Sequence, residues 1–397
     1  MFFRITVLID KTLIDKGRLL RGLTIKVISL SVVATLVLFS AGAHSAEIVI
    51  GTVLEFPGTN EMSIFWESDV LTEGGITLLD GERGGKNFES LALGSIFHRV
   101  KLTGLLPKTE YEYSILGDGT SLYKGKFTTL PEKGDYRVVI IGDTHAPQKP
   151  FSNLAPLIDE RSPDFIIHLG DFVYSDDKKS EWVFFFQMGQ KLLDHIPLFP
   201  VIGNHDCKEK KEVHLYDIYF AEPERDLMDP RNYKAIVCGD LFVFLDVETK
   251  RSKVGQWIWF VSTLLNAANN PNIGRIFIFS HEGVIGFKGN RRGYSLLKLF
   301  LGVMDFAGVS ALFSGHNHHF ATGKTYNGID FFVSGGGGGP LYDLNPDNFF
   351  AKFVGKMESS YKGYHFLVMD VSDDGFIIRV VDDKGAVIYT KEVAEPR

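Results

Sequence analysis

A chain of 397 residues with 45% hydrophobic side chains is long enough to bury one large core or two. Its formal net charge of −7 excludes a non-specific binder of phosphate backbones, whose affinity comes from Lys and Arg, so no nucleic-acid surface is expected. Two cysteines, Cys207 and Cys238, are too few for a disulfide framework and lack the paired spacing of a zinc knuckle.

The chain opens with a basic stretch from Arg4 to Lys26, an apolar run from Val27 to Phe39, and small residues from Ser40 to Ala46. This is the order of an export signal, assigned to residues 1–46. The apolar run is short for a bilayer span, which favours cleavage and a periplasmic or extracellular product. An uncleaved anchor is the alternative, and only then is a membrane partner expected. Loss of this segment makes the chain more acidic still, because residues 1–45 hold six Lys or Arg against two Asp or Glu.

Residues 47–131 read as short alternating strands separated by Gly74-Gly75, Gly84-Gly85 and Gly117-Asp118-Gly119, the spacing of a β-sandwich. Alternation sends Ile64 and Trp66 to one face, as a buried plug. The stretch from Leu105 to Tyr113 resembles the fibronectin type III signature around the tyrosine corner, which implies that Tyr111 folds back to hydrogen-bond the preceding loop. No cluster of Asp, His or Cys occurs here, so the segment is expected to shape access rather than perform chemistry. Leu130 to Gly134 reads as a linker.

Strands and helices alternate through residues 135–397. Apolar runs at 136–141, 165–169, 198–202, 241–246, 276–280, 311–314 and 331–334 read as strands of largely buried sheets, with helices at 150–160, 181–193 and 256–268. Ligands of such α/β folds sit at the carboxyl ends of strands. At those ends stand Gly142-Asp143-Thr144-His145, Gly170-Asp171-Phe172-Val173-Tyr174, Gly203-Asn204-His205-Asp206, His281, and Gly315-His316-Asn317-His318. Any one of them is a common turn or a structural histidine. Five in series bring carboxylate, amide and imidazole donors to one rim, a set suited to Fe, Mn, Zn or Co rather than to Ca or a thiolate-bound metal.

These motifs resemble the calcineurin-like metallophosphoesterase superfamily, and with the preceding fibronectin-like segment the architecture resembles purple acid phosphatases. The resemblance implies a fibronectin type III-like β-sandwich followed by a four-layer αββα metallophosphoesterase domain. It implies two metal ions, Fe paired with Zn, Mn or Fe, bridged by Asp171, with Asp143 and His318 at the first and Asn204, His281 and His316 at the second. His205 would contact the phosphoryl group or protonate the leaving oxygen, oriented by Asp206. The implied activity is hydrolysis of a small phosphate monoester by attack of a metal-activated hydroxide. The rivals are a phosphodiesterase acting on nucleotides or lipids and a non-catalytic surface module.

Two positions depart from the purple pattern. Purple enzymes resemble Asp-x-Gly at the first motif with a Tyr ligand at the second, whereas other members carry Asp-x-His; this chain has both His145 and Tyr174. His145 is favoured as ligand, because neutral imidazole accepts many divalent metals and phenolate needs a strongly acidic one. The glycine run 335–339 lacks the Lys-Ser/Thr of a phosphate-binding loop and reads as a tight passage near the rim. His319 is expected to face substrate or solvent. Cys207 is not expected to be a ligand, and Lys288, Arg291 and Arg292 read as a basic loop with the capacity to receive a second anionic group.

Overall fold

The computed structural model of the protein describes residues 46–79, 86–89, 94–208, 214–220, 231–249, 253–289 and 293–394. The export signal expected at the N-terminus therefore lies, apart from Ala46, outside the described residues, as do Arg291 and Arg292. Among the described residues no helix is long and apolar enough to cross a membrane.

The N-terminal strands are β1 (Ile48–Glu55), β2 (Glu61–Thr72), β3 (Gly74–Leu79), β4 (Lys86–Glu89), β5 (Ser95–Thr103), β6 (Glu110–Gly117) and β7 (Thr120–Thr128). Strands β1, β2 and β5 pair antiparallel, and a second sheet runs in the order β4-β3-β6-β7. Leu54, Ile64, Trp66, Ile76, Val100, Tyr113 and Phe127, drawn from both sheets, form one buried cluster. The backbone N–H of Leu106 donates to the Tyr111 hydroxyl at 2.8 Å, the contact its position in the sequence implied. No strand or helix interrupts the expected linker at 130–134.

The rest of the chain adds β8 (Tyr136–Ile141), β9 (Phe165–His168), β10 (Leu198–Pro200), β11 (Tyr233–Val237), β12 (Asp240–Leu245), β13 (Ile276–Ser280), β14 (Val309–Ser314), β15 (Phe320–Thr325), β16 (Asp330–Ser334), β17 (Gly355–Tyr361), β18 (His365–Ser372), β19 (Gly375–Asp382) and β20 (Val387–Ala394). Its helices are α1 (Pro150–Asp159), α2 (Lys179–Leu193), α3 (Leu215–Phe220), α4 (Lys253–Ala268), α5 (Ser295–Lys298) and α6 (Leu301–Phe306). One sheet runs β20-β19-β18-β8-β9-β10-β1-β2-β5 and the other β11-β12-β13-β14-β16-β15-β17. The first sheet thus continues from β8, β9 and β10 into the N-terminal strands, through the parallel pairing Glu55↔Leu198.

Period-two alternation explains the layering. In β8, Val138 and Ile140 point between the two large sheets, while Val139 and Ile141 point outward onto α1 and α2. Leu241, Val243 and Leu245 of β12 face α4 on the far side. The result is helix, sheet, sheet, helix. Between the sheets Phe244, Phe279, Phe313 and Phe332 lie directly opposite one another on β12, β13, β14 and β16, with centroids 5.1, 5.0 and 5.2 Å apart in stacked geometry. This ladder locks the register of the strands whose carboxyl ends carry the polar motifs.

Candidate metal centre

Every polar motif falls where a strand ends. Asp143 follows β8, Asp171 follows β9, Asn204 follows β10, His281 follows β13 and His316 follows β14. Three of these turns hold four non-glycine residues at positive φ: Asp143 at 60° and His145 at 48° after β8, Asp171 at 56° and His316 at 64°. Such conformations cost about 1–3 kcal/mol each and persist where the surroundings over-determine them. Here the turns hold one another. Asp143 N–H donates to Gly170 O at 2.9 Å and His145 N–H to Asp171 O at 3.0 Å. Gly170 itself has φ 90°, and a Cβ there would meet Gly203 N at 2.6 Å.

Among the described residues two groups of donors converge: Asp143, His145, Asp171 and His318, and Asp171, His281 and His316. Asp171 belongs to both. Its Oδ2 lies 3.3 Å from His145 Nε2 and 3.2 Å from His281 Nε2, so one oxygen faces both groups. Asn204 joins the second group, with Oδ1 3.2 Å from His281 Nε2, and His316 Nδ1 stands 3.2 Å from the same nitrogen.

The donor chemistry fits cations. His281 Nδ1–H donates to Leu169 O at 2.7 Å, and His318 Nδ1–H donates to Pro340 O at 2.7 Å, which turns each Nε2 lone pair inward. Those lone pairs face carboxylate and amide oxygens, which are acceptors as well. Burial opposes charge on His281, but Asp171 and Asp143 outweigh it and hold its pKa well above the usual histidine range. Asp171 is correspondingly held well below the usual carboxylate range, since His281 and His145 outweigh the burial that pushes it up. The two carboxylates thus favour positive charge between them, and the donor groups could hold metal ions there.

The two rivals for one position are separated. His145 is 1% exposed and within the first group, whereas Tyr174 is 46% exposed and its ring centroid lies 6.0 Å from that of His145. His205 is half-buried beside both rings, at 4.6 Å from His145 and 5.0 Å from Tyr174. Two sequence expectations need correction. His205 is oriented by Tyr174 O, which accepts from Nδ1–H at 2.7 Å, and not by Asp206. The buried Asp206 carboxylate instead accepts the backbone N–H groups of Asp171 at 2.8 Å, Gly203 at 2.8 Å and Phe172 at 2.9 Å, binding the second and third motifs together. His319 faces neither substrate nor solvent: it is fully buried, and burial pulls its pKa down to about 3.

The glycine run follows β16 and forms the floor of the site. Gly337 N–H donates to Gly142 O at 2.9 Å and Gly339 N–H to Asp143 O at 2.8 Å. A Cβ on Gly339 would meet His145 Cδ2 at 2.7 Å and His318 Cε1 at 2.8 Å, so only glycine lets the backbone pass beneath both imidazoles. Cys207 and Cys238 are free thiols, and Cys207 Sγ is occupied by Gly203 O at 3.3 Å. Sequence inspection missed His168 and Glu248. His168 is buried and pushed by desolvation to about 3; its neutral Nδ1 accepts Gly170 N–H at 3.2 Å and so fixes the turn ahead of Asp171. A histidine inside an apolar run was the available signal. Glu248 comes alongside His281 because Leu245 pairs with Ser280, and burial lifts its carboxyl to about 8. Nothing in the motif spacing marks it.

Residues 136–320 match the family model of calcineurin-like phosphoesterases. The fold is similar to that of the purple acid phosphatase PPD1 from yellow lupin (Lupinus luteus) seeds, with TM-score 0.70 and 16% identity, covering 86% of this chain and 74% of that one. It is also similar to PhoD, with TM-score 0.67 and 9% identity, covering 88% and 92%. No curated protein sequence matches the chain. The matched segment contains all five strand-end motifs in full and both donor groups, so over residues 136–320 the chain carries a calcineurin-like phosphoesterase domain, that of a metal-dependent phosphoester hydrolase.

Proposed function

We propose that the protein is an exported phosphomonoesterase with a binuclear metal centre of the purple acid phosphatase kind. The observation that carries this is the single oxygen, Asp171 Oδ2, held within 3.3 Å of an inward-facing imidazole nitrogen from each donor group. Asp143, His145 and His318 would hold one ion, Asn204, His281 and His316 the other, with Asp171 between them. Bound there, Fe with Zn, Mn or Fe would supply Lewis-acid polarisation of the phosphoryl oxygens and of water. His145 takes the position that a Tyr fills in the purple pattern, supported by its burial and by the exposure of Tyr174.

The chain's own residues complete the chemistry. With Nδ1–H given to Tyr174 O, His205 offers Nε2 to the phosphoryl group or the leaving oxygen. Burial depresses the His205 pKa, which favours the neutral ring as a hydrogen-bond acceptor at rest. Asp206 is a positioning residue, since it ties the turn of Asp171 to that of Asn204. The N-terminal strands form a fibronectin type III-like sandwich in this reading, and among the described residues they contribute no side chain to either donor group.

Hydrolysis of an aryl phosphomonoester and a bis-aryl phosphodiester by the metal-loaded enzyme tests the assignment. A monoester preference in kcat/KM of about tenfold or more supports it. The reverse preference moves the protein to the phosphodiesterases, and turnover of neither makes it a surface module.

A further inference from the structure

An arc of rings crosses the first donor group. Tyr342 stacks on His318 at 4.3 Å, His318 lies 4.7 Å from His145, His145 4.6 Å from His205, and His205 5.0 Å from Tyr174. A lysine caps each end. Lys288 Nζ sits over Tyr342, 2.8 Å from the ring centroid, and Lys208 Nζ sits over Tyr174 at 5.3 Å. Neither ammonium is among the donors that converge on Asp171; each is set one aromatic ring beyond them.

The Lys288 end is built rather than incidental. Lys288 pairs with Leu344 in an isolated antiparallel bridge, and its N–H donates to Asn317 Oδ1 at 3.3 Å, within the motif of His316 and His318. On either side, Asn345 N–H donates to Phe287 O at 2.7 Å, and Asn345 Nδ2 donates to Gly289 O at 3.0 Å. The loops carrying Lys288 and Tyr342 are thus stitched into one wall, half-buried at both residues. Lys208 follows directly on the third motif and is exposed.

Charge gives these positions a purpose. The chain carries a net charge of −7, a field that repels anionic substrates, so cations at the mouth act locally against the background. The phosphoryl group under attack belongs at the buried donors, which leaves the lysines level with the alcohol half of the ester. Resting on the phosphomonoesterase reading, we propose that Lys208 and Lys288 select substrates whose alcohol half bears a second anionic group, a carboxylate or another phosphate. The aromatic rings beneath them hold the ammonium groups in place by cation–π contact.

The test compares kcat/KM for 4-carboxyphenyl phosphate with that for its neutral isostere, 4-carbamoylphenyl phosphate. It uses the metal-loaded wild type, the double variant Lys208→Met with Lys288→Met, and the double variant with Arg at both positions, each with metal content measured. The wild type should favour the carboxylate by about fivefold, the size of one solvent-accessible ion pair, and the ratio should shrink with added salt. It should fall to about one in the Met variant and survive in the Arg variant. A ratio near one in the wild type, or an unchanged ratio in the Met variant, overturns the proposal. Turnover of neither ester by the metal-loaded wild type contradicts the phosphomonoesterase reading, and this proposal with it; equal turnover of both contradicts the second-anion proposal alone.

Discussion

At the scale of single residues, the proposed function separates groups that would touch substrate, such as His205, from groups that hold others in place, such as Asp206. His205 has one nitrogen fixed by Tyr174 O and the other available, so His205→Ala should lower kcat about 10²-fold while both metals stay bound. Metal analysis beside steady-state kinetics checks this, and loss of metal in the variant would make His205 structural. The donor residues were legible in the sequence because strand-end turns leave a signature: Gly before Asp or Asn, and imidazoles where an apolar run stops. The bonds from four backbone N–H groups to Asp206 were not legible, because a carboxylate next to His205 in sequence looks the same whether it turns toward the ring or beneath the loop. His319 was misplaced for a similar reason: a third histidine beside His316 and His318 gives no hint that the turn leading into β15 buries it beneath the rim.

Elements decide whether those residues meet. The strands that deliver ligands, β8, β9, β13 and β14, are continuous apolar runs and were read within three residues of their observed ends. Strands β17 and β20 alternate half-buried with exposed side chains at the sheet edges, so their sequences GKMESSY and VIYTKEVA give little apolar signal. The Phe244–Phe279–Phe313–Phe332 ladder supplies what the apolar runs alone do not, a fixed register among the strands. Phe313 lies in its middle and is 1% exposed. Phe313→Ala should therefore cost about 3–5 kcal/mol in chemical unfolding, by lost burial plus a cavity. A loss below about 1 kcal/mol would mean that the ladder relaxes and does not set the register.

At the scale of the whole molecule, the N-terminal strands and the phosphoesterase segment meet at Asp194, the residue that closes α2. Tyr123 Oη donates to Asp194 Oδ2 at 2.7 Å and Tyr113 Oη to Asp194 O at 2.9 Å, while His195 bridges Asp194 at 2.8 Å and Asp159 at 3.0 Å. The hydrogen bond from Asp194, together with Asp159, raises the His195 pKa despite partial burial. A raised folded value means that this stabilisation is complete below the unfolded pKa of about 6.5 and is lost as pH climbs through the folded one. The Tm difference between wild type and His195→Gln should thus be larger near pH 6 than near pH 9. A difference that is constant or grows with pH contradicts the pairing. The continuity of the first sheet across the expected linker was invisible in sequence, because the pairing of β1 with β10 joins residues far apart in the chain.

In the proposed function Asp171 lies between two metal ions in one centre. Metal content per chain, measured alongside turnover for the wild type and Asp171→Asn, tests it most directly. Two ions per chain are expected in the wild type, and in Asp171→Asn the loss of at least one ion with a fall in turnover of about 10³-fold or more. Two retained ions and full turnover in Asp171→Asn would contradict it.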